Sequence, residues 1–237
     1  MKTIELSARM QALVNMVSEG SVVCDVGCDH GWVSIYLIQK GIAQRVYAMD
    51  VRTGPLERAK EHIARYQLEE FIETRLSDGL TNLQAGEADC MICAGMGGPL
   101  MMKILTESKE KARGMKELIL QPQSELVLFR RFLRKEGYKI VAEDMVLEDG
   151  KFYPMMKVKP IERLERLKED TDEQKLWDTY GEYLLKEKHP VLKQYLLKAK
   201  EQAQSLLQHL NEKGTASERK VQLQEELELL EKAMGYM

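Results

Sequence analysis

Segment 25–31, Asp-Val-Gly-Cys-Asp-His-Gly, has the residue types and spacing that could bind a nucleotide-like ligand. Gly27 and Gly31 permit a tight turn in which backbone N–H groups and a helix N-terminus approach a ligand closely. Asp25, Asp29 and His30 add groups that can carry charge. Because Asp-x-Gly-x-x-x-Gly also occurs in ordinary strand-to-helix turns, its weight depends on the polar segments that follow it.

Three further polar segments each follow an apolar, strand-like run. Asp50 follows the second run, Asp78 and Gly79 follow the third, and the glycine-rich segment 94–98 follows the fourth. Ligands of a parallel α/β sheet bind at the carboxyl ends of its strands. Any one of these segments could be a plain turn. Four in succession predict one binding site along one edge of a sheet.

The acids of these segments favour a particular ligand. Asp50 ends the strand after the glycine turn, where a carboxylate can hold a ribose diol and would repel a 2′-phosphate. Asp29 lies where a dinucleotide fold needs small residues beside a pyrophosphate. A carboxylate there opposes phosphate and matches the ammonium group of a methionine moiety, which favours S-adenosylmethionine over NAD. Asp78 either accepts a hydrogen bond from an adenine amine or only forms a turn with Gly79.

The four cysteines raise the question of a metal. Cys90 and Cys93 have the Cys-x-x-Cys spacing of zinc sites. However, all four lie in or just after strand-like runs, where a thiol is usually a small buried hydrophobe. Residues three apart on a strand point to opposite faces, so Cys90 and Cys93 should diverge. We expect neither a metal site nor a disulfide.

Length and charge exclude some classes of protein. The 237 residues fit one large domain or a domain with a small appendage. Residues 1–159 have a net charge of 0 and residues 160–237 a net charge of −3, so neither half is a basic arm. Any RNA contact must therefore use a local basic patch. We find no apolar run of about 18 residues, so no membrane span is expected. The N-terminus lacks a secretory pattern, and we expect a cytoplasmic protein.

Alternating strand and helix patterns predict the fold of the first part of the chain. A leading helix over 5–18 precedes strands at 21–26, 45–49, 71–76, 88–93 and 117–120, with helices between them. Two further strands, 138–147 and 151–158, join through an Asp-Gly turn and predict an antiparallel hairpin. The pattern thus predicts a doubly wound, Rossmann-like, seven-stranded α/β sheet that ends in a hairpin, the layout of class I methyltransferases.

Beyond Pro160 the composition shifts to Leu, Lys, Glu and Gln, with little strand signal. We predict three helices, the first with a capping box from Thr171 to Gln174. The second begins near Pro190, and the third covers 217–234 after a break at 211–214. The last two should form an antiparallel hairpin with coiled-coil character. The predicted domains are 1–159, Rossmann-like, and 160–237, a C-terminal α-helical coiled coil.

Five motifs together resemble the bacterial tRNA adenine-22 N1-methyltransferase family. They are Asp-Val-Gly-Cys-Asp-His-Gly (25–31), Met-Asp-Val (49–51), Ser-Asp-Gly-Leu (77–80), Ala-Gly-Met-Gly-Gly (94–98) and Leu-Gln-Pro-Gln (120–123). The likeness extends into the helical tail. It implies S-adenosyl-L-methionine as cofactor and methyl transfer to N1 of an adenine in the D-arm region of tRNA. We expect tRNA as the partner, with no protein partner and a monomeric chain.

Strand-end position and resemblance together give the candidate site residues. The candidate cofactor contacts are Asp25, Gly27, Asp29, His30, Gly31, Asp50, Asp78, Gly79, Ala94 and Gly95. The candidate substrate contacts are Arg9, Met96, Gly97, Gly98, Gln121 and Pro122. Glycines 97 and 98 would permit close approach to the base, or they only start a helix before Pro99.

Asp29 is also the candidate catalytic residue. Adenine N1 has an in-plane lone pair and no hydrogen, so its methylation needs no base. The methylated ring is cationic, and a nearby carboxylate would stabilise the developing charge. Base pairing hides N1, so the target nucleotide must be exposed or flipped into the pocket.

Arginine and lysine side chains could contact phosphates. The candidates are Arg9, Lys103, Arg130, Arg131 and Arg134, although a solvated helix face explains the last three equally well. On the phosphate interpretation, Arg130→Ala should mainly raise the salt sensitivity of tRNA binding. Two other functions stay open: a methyltransferase acting on another RNA or a small molecule, and a non-catalytic RNA-binding protein of the same fold.

Overall fold

The computed structural model describes residues 3–161, 171–212 and 218–237. The strands are β1 (Ser21–Val26), β2 (Ala43–Asp50), β3 (Ile72–Leu76), β4 (Cys90–Met96), β5 (Glu117–Pro122), β6 (Tyr138–Glu148) and β7 (Lys151–Pro160). The helices are α1 (Ala8–Asn15), α2 (Trp32–Gln39), α3 (Thr53–Arg65), α4 (Gly98–Glu107), α5 (Lys109–Arg113), α6 (Leu126–Lys135), α7 (Asp172–Tyr180), α8 (Glu182–Lys186), α9 (Pro190–Glu212) and α10 (Glu218–Met234).

The seven strands form one mixed sheet in the order β3-β2-β1-β4-β5-β7-β6. The first five are parallel, and β7 pairs antiparallel with both β5 and β6. The predicted doubly wound sheet with a terminal hairpin is confirmed. The strand order reverses at β1, since Val26 at its end lies opposite Met49 of β2 and Cys93 of β4. This reversal opens the crevice in which α/β sheets bind ligands.

Two apolar cores cover the two faces of the sheet. Cys90 belongs to the core that includes α1, α2 and α3, whereas Cys93 belongs to the core beneath α4 and α6. The two thiols therefore diverge, as their spacing predicts. Burial raises the pKa of the Cys93 thiol to about 12. Across residues 3–161, 171–212 and 218–237, no group of three or more His, Cys, Asp or Glu side chains could hold a metal ion.

β4 and β5 extend further at their carboxyl ends than their sequence patterns indicate. β4 continues to Met96 rather than ending at Cys93, and β5 continues to Pro122. The pairing of β4 with β5 is irregular between Ala94 and Met96, because Gly95 has φ +76° and bulges out of register. Part of the segment predicted as a turn is thus the end of a strand.

The tail has one more helix in the described residues than predicted. Gly181, with φ +94°, separates α7 from α8, and a Cβ at this position would lie 2.6 Å from Glu143 Oε2. Ser or Ala would not fit there, so this glycine ends the helix that begins at the predicted cap, Thr171. Periodicity alone did not indicate this break, because Leu184 and Leu185 continue the apolar pattern.

Helices α9 and α10 pack side by side, and Lys200 of α9 pairs with Glu231 of α10 at 3.1 Å. A third core joins these helices to Met145 of β6. The coiled-coil character and the domain boundary at 159/160 stay predictions, and part of the predicted break, 213–214, lies outside the described residues. None of the helices in the described part of the chain is long and apolar enough to cross a bilayer.

Candidate active site

The turn after β1 is shaped by three residues with positive φ. Gly27 has φ +80°, Asp29 +47° and Gly31 +74°. The backbone N–H of Gly27 donates to the carbonyl of Met49 at 2.8 Å, which fastens the turn to β2. The positive φ favours glycine there, and a Cβ on Gly27 would displace the Met96 methyl group, which packs directly against the turn.

Two of the four strand-end acids are buried in the site. Asp25 accepts a hydrogen bond from Ser34 Oγ at 2.7 Å. Burial raises the pKa of the Asp25 carboxyl from 3.8 to about 6, although the Ser34 hydrogen bond opposes that shift. Asp50 accepts from the backbone N–H of Arg52 at 2.9 Å. This bond holds the connection from β2 to α3.

The other two acids are exposed. The Asp29 side chain is 56% exposed and lies 3.6 Å from His30 Nε2 and 3.7 Å from Arg58 Nη2. Asp78 is exposed on the loop after β3, next to Gly79, where a Cβ would lie 2.9 Å from Ile104. That loop is braced from outside, since Lys111 Nζ donates to the carbonyl oxygens of Leu80 and Thr81. Both carboxylates are accessible to a ligand.

A cavity of about 560 Å³ opens beside the glycine turn. Of the candidate cofactor residues, the structure brings five together on its wall: Asp25, Gly27, Asp29, His30 and Ala94. Gly31, Asp50, Asp78, Gly79 and Gly95 lie outside this wall, on the turn and on the neighbouring strand ends. The volume falls within the range of about 300–1,000 Å³ that is typical of small-molecule and cofactor sites.

The opposite wall comes from the N-terminal segment, which the sequence patterns did not assign to the site. Ile4 and Leu6 line the cavity before α1, and Met10 and Leu13 line it from the helix itself. The backbone N–H of Ile4 donates to Gln39 Oε1 at 3.0 Å, which ties the segment to the end of α2. Apolar residues directly before the N-cap Ser7 were the available signal.

Arg9 and Gln121 meet at the ends of β4 and β5. Gln121 is buried, and its Oε1 accepts from the Gly95 N–H at 3.1 Å and from Arg9 Nη1 at 3.2 Å. The Arg9 guanidinium lies over the Tyr153 ring, 4.9 Å from its centroid. Arg9 Nε is buried without a hydrogen-bond partner, so this arginine keeps unused donor capacity beside the Gly95 bulge.

Glu148 connects α1 to the β6–β7 hairpin. Its two carboxylate oxygens accept from the backbone N–H of Arg9 at 3.1 Å and from Ser7 Oγ at 3.2 Å. Its Oε2 also lies 3.9 Å from Arg9 Nε. An acid at a helix N-terminus is favourable for the helix dipole. Through Glu148, the β6–β7 hairpin fixes the position of Arg9.

Gly97 and Gly98 pack closely against Ser124, in the segment that follows β5. A Cβ on Gly98 would lie 2.5 Å from the Ser124 carbonyl, and one on Gly97 would lie 3.2 Å from Ser124 Oγ. Met96 and Pro122 are partners in the β4–β5 pairing. These contacts support the interpretation of a helix-starting turn, and they place Met96 against the Gly27 turn.

The structure removes Arg130 from the candidate phosphate contacts. Its side chain is 3% exposed, and Nε pairs with Glu143 at 2.9 Å. Arg131 and Arg134 both pair with Asp178, at 3.1 and 3.0 Å. The phosphate interpretation of Arg130 was therefore wrong, because the side chain is buried and already paired. The sequence pattern did not reveal this, since its partners lie 13 or more positions away in the chain. Lys103 is exposed, 3.9 Å from Glu107.

Comparison with known proteins gives a consistent result. A family model described as a methyltransferase domain matches residues 6–156. A Bacillus subtilis tRNA (adenine(22)-N(1))-methyltransferase is 30% identical over the whole of both chains. The crystal structure of the B. subtilis m1A22 tRNA methyltransferase has a TM-score of 0.82 at 30% identity, covering 97% of this chain and 98% of that one.

A second solved structure contains a ligand. A Streptococcus pneumoniae protein described as a putative tRNA (m1A22) methyltransferase, crystallised with S-adenosyl-L-methionine, has a TM-score of 0.83 at 29% identity. The match covers 97% of this chain and 99% of that one. The likeness therefore includes the helical tail as well as the sheet.

Proposed function

This chain belongs to the tRNA (adenine(22)-N1)-methyltransferase family, and on that premise we propose that it transfers a methyl group from S-adenosyl-L-methionine to N1 of adenine 22 in tRNA. The observation that carries the proposal is the full-length likeness to a relative of that activity. The glycine turn and its cavity agree with the proposal, because Asp29 lies on the cavity wall at a position where a phosphate-binding turn would have an uncharged residue.

The residues of the strand ends fit the cofactor. Turn 27–31 offers backbone groups and Asp29 to its methionine part, and the buried Asp25 adds a second acid on the same wall. Asp50, at the end of the neighbouring strand, suits the ribose, and Asp78 suits the adenine amine. When bound, S-adenosylmethionine supplies an electrophilic methyl group on a positively charged sulfur. An acidic wall matches that charge.

The protein contributes position and charge to the reaction. Adenine N1 attacks with its own lone pair, so no side chain has to remove a proton. Asp29 is accessible at the cavity and can stabilise the positive charge that develops on the ring. His30 and Arg58 flank its carboxylate and restrict where it points. Water exclusion comes from the apolar residues of the N-terminal segment, Ile4 and Leu6.

Arg9 is better assigned to a phosphate than to the base. A guanidinium in contact with the ring would oppose the cation that methylation produces. A phosphate beside the target nucleotide instead complements the positive charge of Arg9, whose side chain is 19% exposed. Gln121 Oε1, which also accepts from the Gly95 N–H, holds the guanidinium at the strand ends. Met96, Gly97, Gly98 and Pro122 then form the wall on the substrate side.

Methylation of defined transcripts tests the function. The chain is incubated with labelled S-adenosylmethionine and an unmodified tRNA transcript, or a matched transcript with guanine at position 22. We expect N1-methyladenosine by mass spectrometry of the digested RNA, and only from the first transcript. N6-methyladenosine, or equal label in both transcripts, would contradict the proposal.

Asp29→Asn tests the catalytic assignment in the same assay. We expect about a 100-fold lower rate at saturating substrates, the size of effect seen when one charge-stabilising group is removed from an active site. Glu61→Gln, an exposed acid on α3 away from the cavity, is the control. An unchanged rate for Asp29→Asn would exclude Asp29 from the catalytic role.

A cytoplasmic, monomeric enzyme without protein partners is part of the same proposal. The tRNA substrate named for the relatives supports the cytoplasmic part of it. Light scattering coupled to gel filtration gives the mass directly, and a mass of two chains would contradict the monomer.

A further inference from the structure

Three aromatic rings are held in near-parallel planes beside the cavity. The rings of His62 and Trp32 stack with centroids 4.0 Å apart and 20° between their planes. His30 lies 5.8 Å from His62 at 24°. His62 Nδ1 donates to the His30 carbonyl oxygen at 2.9 Å, which fixes the His62 ring. Helices α2 and α3 thus support a rigid aromatic surface, which we call the Trp32 stack (His30, Trp32 and His62).

The outermost large ring of the Trp32 stack faces solvent. Trp32 is 36% exposed and lines the cavity together with Asp29 and His30. An indole normally buries most of its large apolar surface, and an ordered, partly exposed one beside a cavity is typical of ligand contact. Every nucleobase has a flat face that stacks on such a ring. The observation therefore points to a base as the ligand.

Two exposed arginines lie near the Trp32 stack and can contact RNA, but their positive charge is partly offset. Arg58 lies one helical turn before His62; its side chain is 48% exposed, and its Nη2 is 3.7 Å from Asp29 Oδ1. Arg52, at the start of α3, is 71% exposed. Because Asp29 offsets part of this positive charge, stacking rather than phosphate attraction should provide most of the local affinity.

We propose that a nucleobase adjacent to the target adenine stacks on the indole of Trp32 while the target itself enters the cavity beside the cofactor. This inference rests on the proposed function. Extruding an adenine from a helix costs a few kcal/mol because its neighbours lose a stacking partner. Trp32 replaces that partner at the mouth of the cavity. His62 supports the ring from behind and acts as a positioning residue.

Binding measurements separate this role from a cofactor role. Trp32→Ala should weaken tRNA binding about tenfold, the size expected for one lost base–aromatic contact, and leave the affinity for S-adenosylhomocysteine unchanged. The slope of tRNA affinity against salt should also stay unchanged, because no phosphate contact is lost. Trp32→Phe should restore most of the affinity. Phe71→Ala, an exposed aromatic at the opposite end of the sheet, is the control.

Fluorescence gives a readout that does not depend on activity. The chain has two tryptophans, so Trp177→Phe leaves Trp32 as the sole indole. With S-adenosylhomocysteine already saturating, added tRNA should quench the Trp32 emission. A tRNA with abasic residues on both sides of the target should not quench it.

Two results would overturn the inference. One is a Trp32→Ala variant that loses affinity for S-adenosylhomocysteine but not for tRNA. The other is a Trp32 emission that tRNA does not change. Either result is independent of the proposed function, which fails only if wild-type protein makes no N1-methyladenosine in tRNA.

Discussion

At the scale of single residues, burial decides what each acid can do. The four strand-end acids look equivalent in the sequence, yet Asp25 and Asp50 are buried whereas Asp29 and Asp78 are exposed. Buried carboxylates set the charge of the wall and the shape of the backbone. Exposed ones can meet a ligand that enters. The sequence located all four at one edge, and only the structure separates these two roles.

Asp25 should make cofactor binding depend on pH. Folding raises the pKa of its carboxyl to about 6, so the stability that this group contributes is complete below about pH 3.8 and is lost as the pH rises through about 6. The ammonium group of the ligand's amino-acid part favours the ionised form of a carboxyl on the same wall. We therefore expect the affinity for S-adenosylhomocysteine to rise between about pH 5 and about pH 7, where its ammonium group stays charged.

Calorimetric titration across this range measures the effect. Asp25→Asn should remove the pH dependence and bind more weakly at neutral pH. Ser34→Ala removes the hydrogen bond that favours the carboxylate, so it should move the midpoint to higher pH. A slope that persists in Asp25→Asn would assign the titration to a different group.

At the scale of elements, periodicity predicted the strands well and their ends less well. Runs such as 90–93 are apolar throughout because helices cover both faces of the sheet, and this makes them easy to recognise. At Gly95 and Gly181 the periodic pattern did not predict where an element ends: β4 continues through Gly95, and Gly181 separates α7 from α8. Each has its conformation because of a contact with a distant segment, Gln121 for the first and Glu143 for the second. Local patterns do not contain such contacts.

Glu148 should control substrate binding through α1. It caps the helix at Ser7 and Arg9, so Glu148→Ala frees the helix N-terminus and the arginine that it positions. We expect kcat/KM for tRNA to fall about tenfold, since loss of a cap costs about 1 kcal/mol and misplaces Arg9. The affinity for S-adenosylhomocysteine should not change.

Steady-state kinetics with each substrate varied in turn tests this expectation. Glu19→Ala, an exposed acid after the same helix, is the matched control. An equal loss of affinity for both substrates would instead mean that the hairpin turn supports the whole cavity.

At the scale of the whole molecule, a buried charged cluster joins the sheet to the tail. Arg130 of α6 pairs with Glu143 of β6 and donates to the carbonyl oxygens of Asp178 and Thr179. Glu143 also accepts from the Tyr183 N–H at 3.1 Å. In the sequence, Arg130, Arg131 and Arg134 are recognisable only as basic residues on one helix. Their acidic partners lie on other elements, so the assignment required the fold.

The cluster therefore predicts an effect of Arg130 on stability rather than on RNA affinity. Arg130→Met leaves the Glu143 carboxylate buried without its partner, and breaking such a pair typically costs about 3–5 kcal/mol. The double variant Arg130→Met with Glu143→Met removes both charges and should recover much of that loss. Urea unfolding of the wild type and both variants measures the free energies. Equal stability of Arg130→Met and wild type, with a changed salt dependence of tRNA binding, would instead restore Arg130 to the RNA-binding surface.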